Sequence, residues 1–334
     1  MSALQNDNTL SSLPEPQPTT APGQGFLGWP IVTDPARWDA DVALLGIPQS
    51  EPYPGDACPN DQSRAPDAIR AQSAQVSDGP SHWDFDNDAP VRDCLPPRCI
   101  DIGNVLCRGT DWAAHAAQVE AVARRIREGG ALLLAFGGDH GVTIPLLRAL
   151  EVLGEPVHIV HVDAHLDWRE EVRGVRGGYS SPLRRASELP FVRGMTQIGM
   201  RGTGSARREE VEAARAWGSR IVTATEVHRH GIDAIIDSLP RDANFFITID
   251  ADGLDPACMP GVLAPVPGGL RPEQVFALLK GVAARGRVLG MDVVEIAPSM
   301  DFANALSCIT AGRLVMNLLG AVFRPGRTTG AATE

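Results

Sequence analysis

The segments of this chain with strand character are apolar almost throughout rather than alternating, and several end abruptly in charged residues. Residues 42–47 read Val-Ala-Leu-Leu-Gly-Ile, and residues 131–136 read Ala-Leu-Leu-Leu-Ala-Phe. A strand with one wet face alternates polar and apolar side chains; one that is apolar on both sides has to be covered on both sides. Further strand runs lie at 157–163, 195–200, 221–223, 244–250 and 288–294. Helical spacing fills the intervals at 65–74, 112–128, 143–153, 205–217, 225–238, 271–284 and 304–319. This alternation predicts an α/β fold with helices on both faces of a mainly parallel sheet.

Residues 1–25 carry Pro14, Pro16, Pro18 and Pro22 among Ser, Thr, Gln and Asn, and read as a flexible Pro-rich arm. Residues 26–325 read as one domain, since no repeat or composition break divides them, and 326–334 as a disordered tail. With 334 residues, 43% hydrophobic and only 5% aromatic, the core has to be built mainly from Ala, Val, Leu and Ile. A formal charge of −11 with no basic run argues against a nucleic-acid partner. The six cysteines form no Cys-x-x-Cys pair, no apolar signal segment opens the chain, and no uninterrupted apolar run approaches the ~20 residues of a membrane span. Reduced thiols in a cytoplasmic protein, away from membranes, are the expectation.

Two strand runs end in clustered ligand-type side chains. One is followed by His161-Val162-Asp163-Ala164-His165-Leu166-Asp167, the other closes as Ile249-Asp250-Ala251-Asp252, and His140 stands after Gly137-Gly138-Asp139. Residues two apart in extended backbone share a face, so Asp163, His165 and Asp167 project together, as do Asp250 and Asp252. All lie at the C-terminal ends of strands, where open α/β sheets bind ligands. Unpaired buried carboxylates are costly, so a cation is expected among them, and Asp/His donors at this density point to divalent metal.

Singly, these residues have plainer readings: His140 as a loop histidine, Asp250 and Asp252 as a helix cap and a solvated acid. Three strand ends making the same choice favour a site. His140, Asp163, His165, Asp167, Asp250 and Asp252 are too many ligands for one zinc, which takes about four, and none is a thiolate. Two ions are therefore expected, Mn2+ first with Ni2+ as the alternative, and Fe2+ or Co2+ compatible.

Gly137-Gly138-Asp139-His140, residues 161–167 and Thr248-Ile249-Asp250-Ala251-Asp252-Gly253-Leu254-Asp255-Pro256 resemble the signature blocks of the ureohydrolases, the family of arginase, agmatinase and formiminoglutamase. Met259-Pro260-Gly261, Pro267-Gly268-Gly269-Leu270 and Met291-Asp292-Val293-Val294-Glu295-Ile296-Ala297-Pro298 extend the likeness, which runs from about 41 to 319. The resemblance implies a three-layer α-β-α sandwich and a homo-oligomer, trimer or hexamer. It implies that His140, Asp163, Asp167 and Asp250 hold one ion, and Asp163, His165, Asp250 and Asp252 the other. Glu295 matches the acid that pairs with a guanidinium, a planar cation suited to a fixed carboxylate. Asp139 reads as a turn former or as a hydrogen-bond acceptor behind the ligands, Asp255 as a turn residue, and His161 with His158 as structural.

The pattern departs from the family at Gly178-Tyr179-Ser180-Ser181, where many relatives carry a His-Gly-Thr or His-Gly-Ser segment. Tyr179 takes the histidine's place, and a phenol is a poor proton shuttle near neutral pH. It is expected to line the substrate site, and Trp168 to narrow the entrance. The reading that follows is hydrolysis of a guanidinium C–N bond to urea and an amine, with Glu295 and Asp167 catalytic. Agmatine-like substrates come first; guanidine, methylated guanidines or biguanides are the alternative. A catalytically silent subunit working with a paralogous partner, and a deacetylase-type amidohydrolase, are the other readings. The latter lacks the expected histidine pair and leaves Glu295 without a role.

Overall fold

The structure, a computed structural model, describes residues 17–50, 53, 60–77, 79–106 and 111–324. Its strands are β1 (Thr19–Thr20), β2 (Val42–Gly46), β3 (Trp83–Asp84), β4 (Ala89–Pro90), β5 (Cys99–Val105), β6 (Leu132–Phe136), β7 (Val157–Val162), β8 (Val192–Met200), β9 (Arg220–Thr223), β10 (Ala243–Asp250) and β11 (Gly286–Val294). Helices are α1 (Ala65–Ser77), α2 (Trp112–Glu128), α3 (Thr143–Ala149), α4 (Pro182–Ala186), α5 (Arg208–Trp217), α6 (Ala224–His230), α7 (Asp233–Ser238), α8 (Pro272–Arg285) and α9 (Leu306–Phe323).

Among the described residues, nine strands form the main sheet in the order β1-β5-β2-β6-β11-β10-β7-β8-β9, with β3 and β4 paired apart from it. Only β1 runs antiparallel to its neighbour in that sheet. Two buried layers account for the unbroken apolar runs. Phe245, Ile247 and Ile249 of β10 pack with residues of α1, α6, α7, α8 and α9, while Phe246 faces those of α2, α3, α4 and α5. Side chains of this size contribute roughly 1.5–3 kcal/mol each when fully buried.

Strand order positions the site. β6, β11, β10 and β7 are consecutive neighbours, and their registers pair Phe136 with Val293, Val294 with Asp250, and Ile249 with Val162. The residues next in chain, Gly137, Glu295, Ala251 and Asp163, therefore leave the sheet at one level.

Several features differ from the sequence reading. β5 lacks an uninterrupted apolar run because it carries Asp101, whose buried carboxylate accepts from Arg70 Nε and Nη2 at 2.8 and 2.9 Å; the ion pair lets a charge enter a buried strand. The helix expected over 225–238 breaks into α6 and α7 at Gly231, whose φ is 84°. Of the arm expected over 1–25, residues 1–16 lie outside the described residues, while Thr19–Thr20 joins the sheet as β1. The tail at 326–334 also lies outside them. α9, expected as a helix over 304–319, is 18 residues long and apolar enough in composition to cross a membrane, but 67% of it is buried inside the fold.

Candidate metal centre

The turn after β6 is built for close contact. A Cβ at Gly138 would lie 1.4 Å from the carbonyl oxygen of Gln49, so only glycine fits there. Asp139 then caps the next turn, its Oδ1 accepting from Gly141 N at 2.9 Å, which makes it the turn former expected. The result is a fully buried His140 ring whose Nδ1 lies 2.9 Å from Asp167 Oδ2, 3.3 Å from Asp250 Oδ2 and 3.4 Å from Asp163 Oδ2. Nδ1 makes no hydrogen bond with any of them, so it and three carboxylate oxygens converge on a common space. Nε2 is occupied instead, 3.0 Å from Thr248 Oγ1.

A second convergence lies beside the first. His165 Nδ1 is 3.0 Å from Asp252 Oδ2 and 3.5 Å from Asp163 Oδ1. Ligand-type atoms of His140, His161, Asp163 and Asp167 fall within 4.8 Å of one another, as do those of Asp163, His165 and Asp252. Asp163 belongs to both groups. Main-chain donors fix the carboxylates: Asp163 Oδ1 accepts from His165 N at 2.5 Å, Asp252 Oδ1 from Ala164 N at 3.0 Å, and Asp250 Oδ1 from Asp252 N at 2.9 Å. Arg201 grips the turn below Asp252, its Nη2 donating to the carbonyls of Asp252 and Val266 at 2.5 and 2.6 Å.

Charge accumulates here. Burial, reinforced by Asp252 and Asp163, pushes Asp250 well above the usual carboxylate range. Burial and Asp163 raise Asp252 to about 6. Burial works against a charged His165, yet Asp163 and Asp252 raise it to about 12. Raised acids beside raised imidazoles mark excess negative charge that divalent cations would offset, and an oxygen-rich set with two imidazoles and no thiolate fits such ions.

The cluster opens on a cavity of about 310 Å3. His165, Asp167, Asp250, Asp252 and Glu295 line it together with Asn60, Gln62, Tyr179, Val262, Leu263 and Ala264. Asp167 and Glu295 both have left-handed backbone, with φ of 51° and 67°, a conformation rare outside glycine and common at functional sites. Glu295 Oε1 accepts from His140 N at 2.6 Å, and Oε2 accepts from Gln62 Nε2. Burial, then the charge of Asp139, holds the Glu295 carboxyl well above its ordinary range. Tyr179 also lines the cavity, its ring centroid 4.4 Å from that of Tyr53, whose hydroxyl accepts from Ser180 N at 2.9 Å.

Trp168 is a correction. It is 2% exposed and packs edge-on against Trp217 at 6.0 Å, within the α2–α5 layer, so it does not narrow an entrance. The backbone turns at Asp167, and the next side chain falls on the core side. Gln62 and Tyr53 had no sequence signal: Gln62 meets Glu295 across 233 positions. Asp255 accepts from Ala257 N, Gly268 N and Gly269 N, so it is a turn residue as read.

A family model described as "Arginase family" matches residues 40–320. The chain belongs to the arginase family. It is 32% identical over 293 residues to an agmatinase of Chromobacterium violaceum, covering 84% of this chain and 83% of that one. Proclavaminate amidinohydrolase of Streptomyces clavuligerus is 29% identical over 306 residues, covering 88% and 92%. The solved structure of that Streptomyces clavuligerus enzyme superposes with a TM-score of 0.77 at 27% identity, over 92% of this chain and 99% of that one. Arginase-family members are metal-dependent hydrolases of amidino C–N bonds that use a dinuclear centre, typically of manganese. This chain is an arginase-family ureohydrolase, and its His/Asp cluster fits that centre.

Proposed function

We propose that this protein hydrolyses a guanidinium C–N bond to give urea, or a substituted urea, and an amine, with agmatine-like alkylguanidines as its first substrate class. One observation carries this reading. Glu295 lines the cavity beside the Asp/His cluster with both carboxylate oxygens already oriented by donors, and no Lys or Arg is among the described lining residues. A fixed carboxylate matches a planar cation, while a substrate's own carboxylate would find no basic partner there.

In this reading His140, Asp163, Asp167 and Asp250 hold one ion and Asp163, His165, Asp250 and Asp252 the other, with Mn2+ as the metal and Ni2+ the alternative. Bound together, two such ions supply an acidified water and Lewis-acid stabilisation. Glu295 holds and orients the guanidinium, Asp167 passes a proton to the departing nitrogen, and Tyr179 lies against the substrate's flank. The protein is proposed to work in the cytoplasm as a homo-oligomer, trimer or hexamer.

Val262, Leu263 and Ala264 beside Tyr179 favour a second reading, in which guanidine, methylated guanidines or biguanides are the substrates. Retention of every ligand-type residue argues against a silent partner subunit. Loading apoprotein separately with Mn2+ and Ni2+ and measuring urea release across a panel of guanidino compounds tests these readings. Agmatine as the best substrate supports the first, a methylated guanidine the second, and no turnover by the single chain with either ion overturns both.

A further inference from the structure

Four buried polar side chains form a line that ends on Asp163. Ser219 Oγ lies 2.7 Å from Gln197 Oε1. Gln197 Nε2 lies 2.8 Å from the Leu166 carbonyl oxygen and 3.1 Å from His161 Nδ1. His161 Nε2 in turn lies 2.7 Å from Asp163 Oδ2. Gln197, His161 and Asp163 are 0% exposed and Ser219 is 6% exposed, so solvent cannot substitute for any link.

The donor roles along this line admit one assignment. The Leu166 carbonyl can only accept, so the Gln197 atom facing it is the amide nitrogen, and Oε1 accepts from Ser219. The second amide hydrogen then points at His161 Nδ1, which has to present a lone pair. The ring proton is left on Nε2 and is donated to Asp163 Oδ2. Asp163 consequently has one donor on each oxygen. Oδ1, held by His165 N, faces the His165–Asp252 pair, while Oδ2, held by His161, faces His140 Nδ1 at 3.4 Å.

We propose that His161, fixed in its Nε2–H tautomer by Gln197, is a positioning residue that holds Asp163 across two metal positions and sets affinity for the ion beside His140, without being a ligand. The proposal rests on the dinuclear reading above. It accounts for His161 standing so near the ligand cluster: its one nitrogen aimed at the cluster carries a proton and cannot coordinate. Gln197 and Ser219, more than 30 residues further along the chain, thereby become determinants of metal affinity.

The test pairs chelator-competition titrations of Mn2+ with two-bond proton–nitrogen spectra of histidine-labelled protein, free and loaded with diamagnetic Zn2+. Two ions per wild-type chain are expected, with His161 keeping a protonated Nε2 and an unprotonated Nδ1 in both states. His161→Phe and Gln197→Met should each weaken one of the two dissociation constants by about 10–100-fold and spare the other. His161→Gln, which can still donate to Asp163, should recover part of the loss. Should His161→Phe fail to fold, Gln197→Met leaves the ring in place and tests the same link. Loss of the Nε2 proton on metal loading, or unchanged constants in Gln197→Met, overturns the proposal while leaving the dinuclear reading intact. A wild-type chain that binds fewer than two ions overturns both.

Discussion

The main-chain N–H of His140 donates to Glu295 Oε1 at 2.6 Å, tying a histidine of the buried Asp/His cluster to the cavity acid across 155 positions of sequence. The two cannot be repositioned independently. Any variant that keeps an acceptor at Glu295 leaves His140 in place, so the acid's charge can be varied apart from the metal cluster.

Glu295→Gln keeps that acceptor and should retain both ions. The loss of a charged partner for the guanidinium is expected to lower kcat/KM by about 1.5–3 kcal/mol, roughly 10–150-fold. Elemental analysis beside steady-state kinetics checks this; an unchanged kcat/KM in fully metallated protein returns Glu295 to a structural role.

Asp250→Ala removes the carboxylate that faces His140 at 3.3 Å and lies beside Asp252. Metal content should fall from two ions per chain, and urea release with it. Inductively coupled plasma measurement on the purified variant decides the matter, and two tightly held ions would remove Asp250 from the ligand set.

Tyr179→Phe keeps the ring against Tyr53 and should cost about 0.5–1.5 kcal/mol in transition-state binding, with the substrate order retained. Tyr179→His introduces a group that titrates near neutrality, so the acid limb of the pH–rate profile should shift and agmatine-like substrates gain relative to smaller ones. If both variants match the parent in ranking and profile, Tyr179 does not contact substrate.

Trp168→Ala separates core from cavity. Its 2% exposure and its packing on Trp217 predict a loss of about 3–5 kcal/mol in unfolding free energy with the substrate ranking unchanged. Denaturant melts and the guanidino panel measure the two effects, and a changed ranking in folded protein would return Trp168 to the pocket.

His158 gives a pH dependence that does not involve the metal cluster. Burial lowers its pKa from 6.5 to about 4, with Nε2 3.0 Å from Thr196 Oγ1. The unfolded chain therefore binds the proton first: stability is unaffected above pH 6.5 and falls as pH drops from there towards 4, by up to roughly 3 kcal/mol. Denaturant titrations across this window should show a shallower loss in His158→Gln than in the parent; equal slopes would assign the acid sensitivity elsewhere.

Much of the architecture was legible because the parallel strands announce themselves. β6 is apolar throughout, and β7, β10 and β11 are apolar on both faces over most of their length, the polar exceptions such as His161 and Asp292 standing within otherwise apolar runs. In a chain of this composition little besides a sheet covered on both sides produces such runs. β5 was hidden because Asp101 interrupts its run, and the Arg70 that neutralises it lies on α1, 31 positions away. Within the site, the residues with ligand chemistry stand out by their spacing, whereas Gln62, Tyr53 and Gln197 do not. Their importance lies in whom they touch, and an ordinary amide or phenol carries no local mark of a partner far along the chain. Trp168 went astray for the opposite reason: adjacency to Asp167 implied a shared face, but the left-handed backbone at Asp167 sends the two side chains apart.

The order of strands in the main sheet also bears on how the molecule comes into being. β10 and β11 lie between β6 and β7, although they are the last two of the described strands in chain order. Until residues 243–294 are available, β6 lacks its neighbour β11 and β7 lacks its neighbour β10, so each presents one unpaired edge. A chain lacking β10 and β11 would leave both edges open to pairing with other chains. Insertion of this central pair covers both edges, and it also brings Asp250, at the end of β10, to the level at which the chain leaves β6 and β7.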